Sequence, residues 1–232
     1  MYGLSYIRRF YESKRQEFDE FLKRCANRGQ SKDSMELFKY LCCNILASQA
    51  KWENAEMAVE YLDKTKHLFH GNAVSIHEGL KESGYRSPNN VAKAQWLYEA
   101  RRSLFDDGCE MPMVDFVGLL RYGCDKDPVK TRDIFADRRR VAHVPGLGMK
   151  EASHFLRGLG LSHNQLAILD SVVVEQLVCY RVIEIRPKTL SRAAYLVIED
   201  KEKAWAKNEV GISLDVLDLL LWKMGRKEGK PR

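Results

Sequence analysis

Apolar residues recur at helical spacing along almost the whole of this chain, and that periodicity limits its folds more than any other feature. Phe38, Leu41, Cys42 and Ile45 stand at i, i+3, i+4 and i+7. Ala55, Ala58, Val59 and Leu62 repeat the stripe, as do Ala152, Phe155, Leu156 and Leu159, and Leu97, Ala100 and Leu104 continue it. Spacing of this kind gathers apolar side chains on one face of a helix. Strand alternation is missing. The β-branched runs at 172–174 and 182–185 sit in helical surroundings with no hairpin turn signals beside them. Turn-forming clusters at 84–90, 106–112, 122–128, 144–148, 158–164 and 186–188 cut the pattern into about eight to twelve short helices. The predicted class is all-α.

The chain has 232 residues, 45% of them apolar and 30% charged, with six prolines and fifteen glycines. These values describe a folded, water-facing protein rather than a low-complexity or collagenous one. No window approaches the roughly 20 apolar residues that cross a bilayer, and residues 1–9 lack an apolar signal core. No membrane association and a cytoplasmic location are therefore expected. Thirty-eight Lys and Arg against 32 Asp and Glu leave a formal charge of +6, which suits a polyanionic partner without specifying one. Cys25, Cys42, Cys43, Cys109, Cys124 and Cys179 are scattered without a C-x-x-C pair and read as small structural hydrophobes. Only Cys179 lies in the last third, which excludes a four-cysteine iron–sulfur site there.

The stretch that carries chemistry is 131–160. A basic helix through Arg138, Arg139 and Arg140 is predicted to run into Val144-Pro145-Gly146-Leu147-Gly148, with a second helix starting near Met149. Pro145 fixes one backbone angle, while Gly146 and Gly148 permit positive φ and leave no Cβ between the backbone amides and an approaching phosphate. The N–H groups and dipole at the start of the second helix favour an anion. Such a helix-hairpin-helix would clasp a DNA strand without reading its bases; an ordinary helical turn can carry the same P-G-x-G string. Lys150 follows at the first turn, where the helix dipole opposes a cation. It reads either as a solvated lysine or as a nucleophile. Asp170 comes twenty residues later, placed to N-cap the next helix.

With the hairpin, the lysine and the aspartate at this spacing, the sequence resembles the helix-hairpin-helix DNA glycosylase superfamily. The run from Gly148 to Arg157 with Leu166 to Asp170 is similar to the archaeal and thermophile-type 8-oxoguanine DNA glycosylase/AP lyases. Further similarity lies in Gly84-Tyr85-Arg86 with Lys93-Ala94, Leu190-Ser191 with Tyr195-Leu196, and Leu217 to Trp222, so that the resemblance spans roughly 35–230. It implies two helical lobes with a DNA- and base-binding cleft between them. One is a barrel over 30–163 ending in the hairpin; the other is built from 1–29 and 164–232. It also implies an expected monomer acting on double-stranded DNA with a damaged base.

The resemblance implies base excision repair by a bifunctional enzyme. Lys150 attacks the sugar C1′ of a flipped nucleotide, Asp170 stabilises the cationic sugar, and the resulting Schiff base supports β-elimination. Asp218 falls on the leucine face of a helix starting near Leu214, where a carboxylate needs a partner. With Trp222 one turn on, and Lys230 from the tail, it is expected to line the base pocket. Gln49, ending Leu46-Ala47-Ser48-Gln49, is expected to fill the hole left by the extruded base. Lys51 and Arg86 are expected phosphate contacts, together with the amides at Gly146 and Gly148. No cofactor is expected beyond a sodium or potassium ion on the carbonyls of Ala142, Val144 and Leu147. Two departures bear on the lesion: Val172 stands where the family usually has histidine, and Gln49 where this class has asparagine. The alternatives are the same mechanism on another damaged base, or a non-catalytic hairpin module that binds DNA.

Overall fold

The structure is a computed structural model of the chain that describes residues 3–105, 113–140 and 143–227. Among the described residues it is helical with no strand. The helices are α1 (Leu4–Gly29), α2 (Ser34–Ala47), α3 (Trp52–Lys64), α4 (His67–His70), α5 (Ala73–Glu82), α6 (Asn90–Phe105), α7 (Met113–Lys126), α8 (Pro128–Ala136), α9 (Met149–Gly158), α10 (Ser171–Cys179), α11 (Arg192–Trp205) and α12 (Leu214–Lys227), with a π turn at Ala206–Val210 after α11. The all-α reading holds, and the apolar stripes fall inside α2, α3, α6 and α9 or at its end.

Local chemistry starts many of these helices. Asp33, Asn72, Asp127, Asp170 and Ser191 are N-caps whose side chains accept backbone amides of the first turn. At α8 the cap is followed by Pro128, whose missing N–H costs nothing at that position. No helix among the described residues is long and apolar enough to cross a membrane.

Contacts divide the chain into two units, Gln30–Phe155 and Met1–Gly29 with Leu156–Arg232. In the first, the central unit, α2 is the axis, packed by α3, α6 and α7, with α5 on α6 and α8 on α7. Its buried face carries Leu37, Phe38, Leu41, Cys42 and Ile45. Edge-on ring contacts link Phe38, Phe105, Phe116, Phe135 and Phe155 through the core. In the second, the terminal unit, α10 packs on α12, and the π turn touches α1, α11 and α12. Arg8 on α1 donates to the Val210 and Glu209 carbonyls, tying the first helix to that turn. Cys25, Cys42, Cys43 and Cys124 are buried thiols and Cys179 is exposed, while Cys109 lies outside the described residues.

Candidate active site and nucleic-acid interface

The hairpin is built by α8, a turn, and α9. Its first helix stops earlier than the sequence suggests: α8 ends at Ala136, and Arg138, Arg139 and Arg140 lie in the turn. The cause is Asp137, which accepts the Arg139 backbone amide at 3.1 Å and its guanidinium at 3.0 and 2.9 Å, diverting the chain from the helix. The Val144 amide returns to the Phe135 carbonyl, and the Leu147 amide closes onto Val144. Gly146 has φ +85°, and a Cβ there would meet Trp96 at 2.8 Å and Ile45 at 3.0 Å, so both conformation and space require glycine. Gly148 does not use the positive φ that glycine permits; a Cβ there would come within 3.0 Å of the Glu151 carboxylate. Val144 and Leu147 are buried, while Ala142 lies outside the described residues.

Lys150 occupies the first turn of α9, its side chain 39% exposed, with Nζ 3.0 Å from Oε1 of Glu151. Glu151, which the sequence reading passed over, thus lies between the hairpin glycine and the lysine. The favourable charge of an acid at a helix start offsets the unfavourable placement of Lys150 beside it.

Asp170 is the N-cap of α10. Its Oδ1 accepts the amides of Val172 and Val173, both at 2.8 Å, and Oδ2 takes part in neither bond. The residues before it, 166–169, are buried and non-helical, and side chains of α11 and α12 hold their backbone groups. Glu199 accepts the Ala167 amide at 2.8 Å, Asp218 accepts the Ile168 amide at 2.8 Å, and the Tyr195 hydroxyl donates to the Ala167 carbonyl at 2.6 Å. Buried amides outside a helix need such partners, and this set fixes the approach to the Asp170 carboxylate.

Asp218 was expected in a base pocket. In this structure it is 1% exposed, and both oxygens are engaged inside the terminal unit, Oδ1 with Arg157 and Oδ2 with the Ile168 amide. Burial pushes its carboxyl up to about 7, against the lowering pull of Arg157 and the Ile168 amide. The partner that a carboxylate among leucines needs is therefore the buried Arg157. Trp222, one turn on, is half-buried, with the Arg226 guanidinium 4.3 Å from its ring centre. Lys230 lies outside the described residues. Val172 lies against Gly225: a Cβ on that glycine would be 2.5 Å from Val172 Cγ1, so the valine serves the close packing of α10 on α12.

In the central unit, Gln49 is exposed just after α2 with φ +63°, an uncommon conformation for a residue other than glycine. Its Oε1 accepts from Asn89 Nδ2 at 3.4 Å, joining the 84–90 loop to the end of α2. Arg86 in that loop and Lys51 at the start of α3 are both exposed. The buried Lys93 beneath this surface is another residue that the sequence reading did not single out for a site.

Comparison with known proteins bears on this arrangement. A family model described as 8-oxoguanine DNA glycosylase matches residues 12–210. The chain is 33% identical over 218 residues to an 8-oxoguanine DNA glycosylase/AP lyase of Fusobacterium nucleatum, covering 93% of this chain and 92% of that one. It is 30% identical over 223 residues to one of Korarchaeum cryptofilum, covering 94% and 88%. Among solved structures, the 8-oxoguanine DNA glycosylase of Thermotoga maritima is similar with a TM-score of 0.76 at 25% identity, covering 95% of this chain and 94% of that one. The Methanocaldococcus jannaschii 8-oxoguanine glycosylase/lyase, in complex with a 15mer DNA containing 8-oxoguanine, gives 0.75 at 25% identity, covering 97% and 98%.

Proposed function

The chain belongs to the 8-oxoguanine DNA glycosylase family, and from that premise we propose that it excises 8-oxoguanine from duplex DNA and then cleaves the strand as an AP lyase. The observation that carries the reading is the similarity, over 93% and 94% of the chain, to 8-oxoguanine DNA glycosylase/AP lyases. In this chain it coincides with a lysine in the turn after a hairpin and an aspartate capping a helix twenty residues later.

The residue chemistry suits both steps. Once its ammonium has given a proton to solvent, Lys150 attacks C1′ of the damaged nucleotide with the lone pair so released. The N-glycosidic bond breaks, and its electron pair leaves with the base, which takes up a proton. Positive charge that develops on the sugar is offset by the Asp170 carboxylate, whose Oδ1 is fixed by two amides. Loss of the amine proton and opening of the sugar ring leave a protonated imine, which acidifies C2′. Removal of a C2′ proton then expels the 3′ phosphate. A monofunctional enzyme that activates water forms no such imine and cannot cut the strand in this way.

Trp222 offers aromatic surface on which a flipped purine would stack. The amides at the start of α9 would hold a phosphate, and Gln49 would enter the duplex. The carbonyls of Ala142, Val144 and Leu147 are the groups that would hold a monovalent cation, which would screen that phosphate.

Borohydride trapping tests the reading on duplexes carrying one 8-oxoguanine, one abasic site or undamaged guanine. Covalent complexes are expected with the first two and not the third, and Lys150→Gln should abolish them. Asp170→Asn should slow base release on the order of 10²-fold or more, as loss of one charge-stabilising group typically does, while DNA binding persists. Trapping on the abasic site alone would retain the lyase and reassign the lesion. Trapping on neither would leave a binding module or a water-activating glycosylase.

A further inference from the structure

The last turn of a helix leaves carbonyl groups without intrahelical partners. At the end of α2 these are met by a buried charge. Lys93, on α6 and 1% exposed, donates to the Leu46 carbonyl at 2.8 Å, to the Tyr85 hydroxyl at 2.8 Å and to the Ser48 carbonyl. Tyr85, itself buried, donates its own hydroxyl to the Leu46 carbonyl. An ammonium has three N–H donors, and all three are used. Burial draws the amine down to about 8, while Glu151 pulls the other way. The three oxygen acceptors around Nζ suit the charged form, which alone has three N–H groups to give them.

What this ammonium grips is the two residues on either side of Ala47, immediately ahead of Gln49. Gln49 adopts φ +63° in a turn closed by the Ala50 amide on the Ala47 carbonyl. Glycine would take that conformation without strain, whereas glutamine persists there only where its surroundings determine the backbone. Its side chain is exposed, and its Oε1 accepts a 3.4 Å bond from Asn89 Nδ2. A strained backbone that carries an exposed polar side chain, held from beneath by a buried cation, is built to present that side chain.

We propose that Lys93 is a positioning residue: its ammonium, bonded to the Leu46 and Ser48 carbonyls and to Tyr85, locks the end of α2 so that Gln49 is held ready to insert into the DNA duplex. The proposal rests on the reading of Gln49 as the plug for the extruded base. Lys93 touches no substrate and acts through Gln49 alone.

The test uses the full chain and a duplex carrying 8-oxoguanine beside 2-aminopurine, whose fluorescence rises when stacking is broken. Lys93→Met should lower the fluorescence amplitude at least threefold and single-turnover excision about tenfold. Cleavage of an abasic duplex, where no base has to be extruded, should change less than twofold. Gln49→Ala should lower fluorescence amplitude and excision by at least as much, and Lys93→Met added to Gln49→Ala should cost nothing further, because residues acting through one element are not additive. Tyr85→Phe, which removes only the hydroxyl, should give a loss of about threefold and carries the same comparisons if Lys93→Met fails to fold.

Additive losses, an equal loss on the abasic duplex, or wild-type fluorescence in the folded Lys93 or Tyr85 variant would overturn the proposal. Wild-type behaviour of Gln49→Ala would overturn the plug and the clamp together. A wild-type protein that gives the fluorescence rise without releasing 8-oxoguanine would overturn the excision reading and leave the clamp in place.

Discussion

At Glu202 both carboxyl oxygens are buried, and neither has a hydrogen-bond partner among the described residues. Burial, with Asp218 and Glu199 nearby, pushes this acid well above the ordinary glutamate range, Arg157 being too weak a counterweight. The sign of the effect on stability follows from the unfolded chain, where glutamate ionises near its ordinary value of 4.5. Below that pH both states hold the proton and the group contributes fully. As pH rises above it, the unfolded state gains by ionising while the folded state cannot, and stability falls until the raised folded value is passed. Each pH unit crossed costs up to about 1.4 kcal/mol. Glu202→Gln removes the titration and keeps the shape. The melting temperature of the variant relative to wild type should therefore climb by several degrees between pH 4 and pH 8, whatever its offset at pH 4. A difference that stays flat across that range would show that the buried acid does not hold its proton.

The approach of elements is set at points where a side chain is missing. Gly29 ends α1 so close to the loop after α9 that a Cβ would lie 1.9 Å from the Leu159 carbonyl oxygen, a backbone atom that cannot swing aside. Gly29→Ala should therefore destabilise the protein by about 2 kcal/mol or more, the range of other steric insertions into packed sites, and lower the denaturant midpoint with little change in slope. An unchanged midpoint would mean that α1 can shift at no cost. This contact also marks the limit of what the sequence discloses. The helices, the hairpin and the Asp170 cap were legible because each depends on residues within a turn or two of one another. The Arg138 to Arg140 segment was misread as helix because one acid, Asp137, captures the backbone at a single residue. The burial of Lys93 was invisible because the two carbonyls it bonds lie 45 and 47 residues away. Asp218 carried a visible need for a partner, but its partner, Arg157, comes from 61 residues earlier. Long-range polar pairs leave no periodicity to read.

Across the whole molecule the excess of six positive charges is modest, so affinity for DNA must come from where charges stand rather than from their sum. Backbone amides at the start of a helix can hold a phosphate without bringing a counter-charge, and apolar stacking of a base, the role proposed for Trp222, releases no ions. Lysine and arginine side chains that neutralise phosphates do release them, and each adds about 0.9 to the slope of log affinity against log salt. Lys51 and Arg86 are exposed at the ends of segments joined through Gln49 and Asn89. Lys51→Ala and Arg86→Ala should each weaken duplex binding at low salt and make that slope shallower by about one. Trp222→Ala should weaken binding to lesion DNA with the slope unchanged. Fluorescence anisotropy over a salt series on 8-oxoguanine and undamaged duplexes separates the two effects. If neither basic substitution alters the slope, these two side chains are solvent charges, and the phosphate contacts must be sought among the arginines of the hairpin turn.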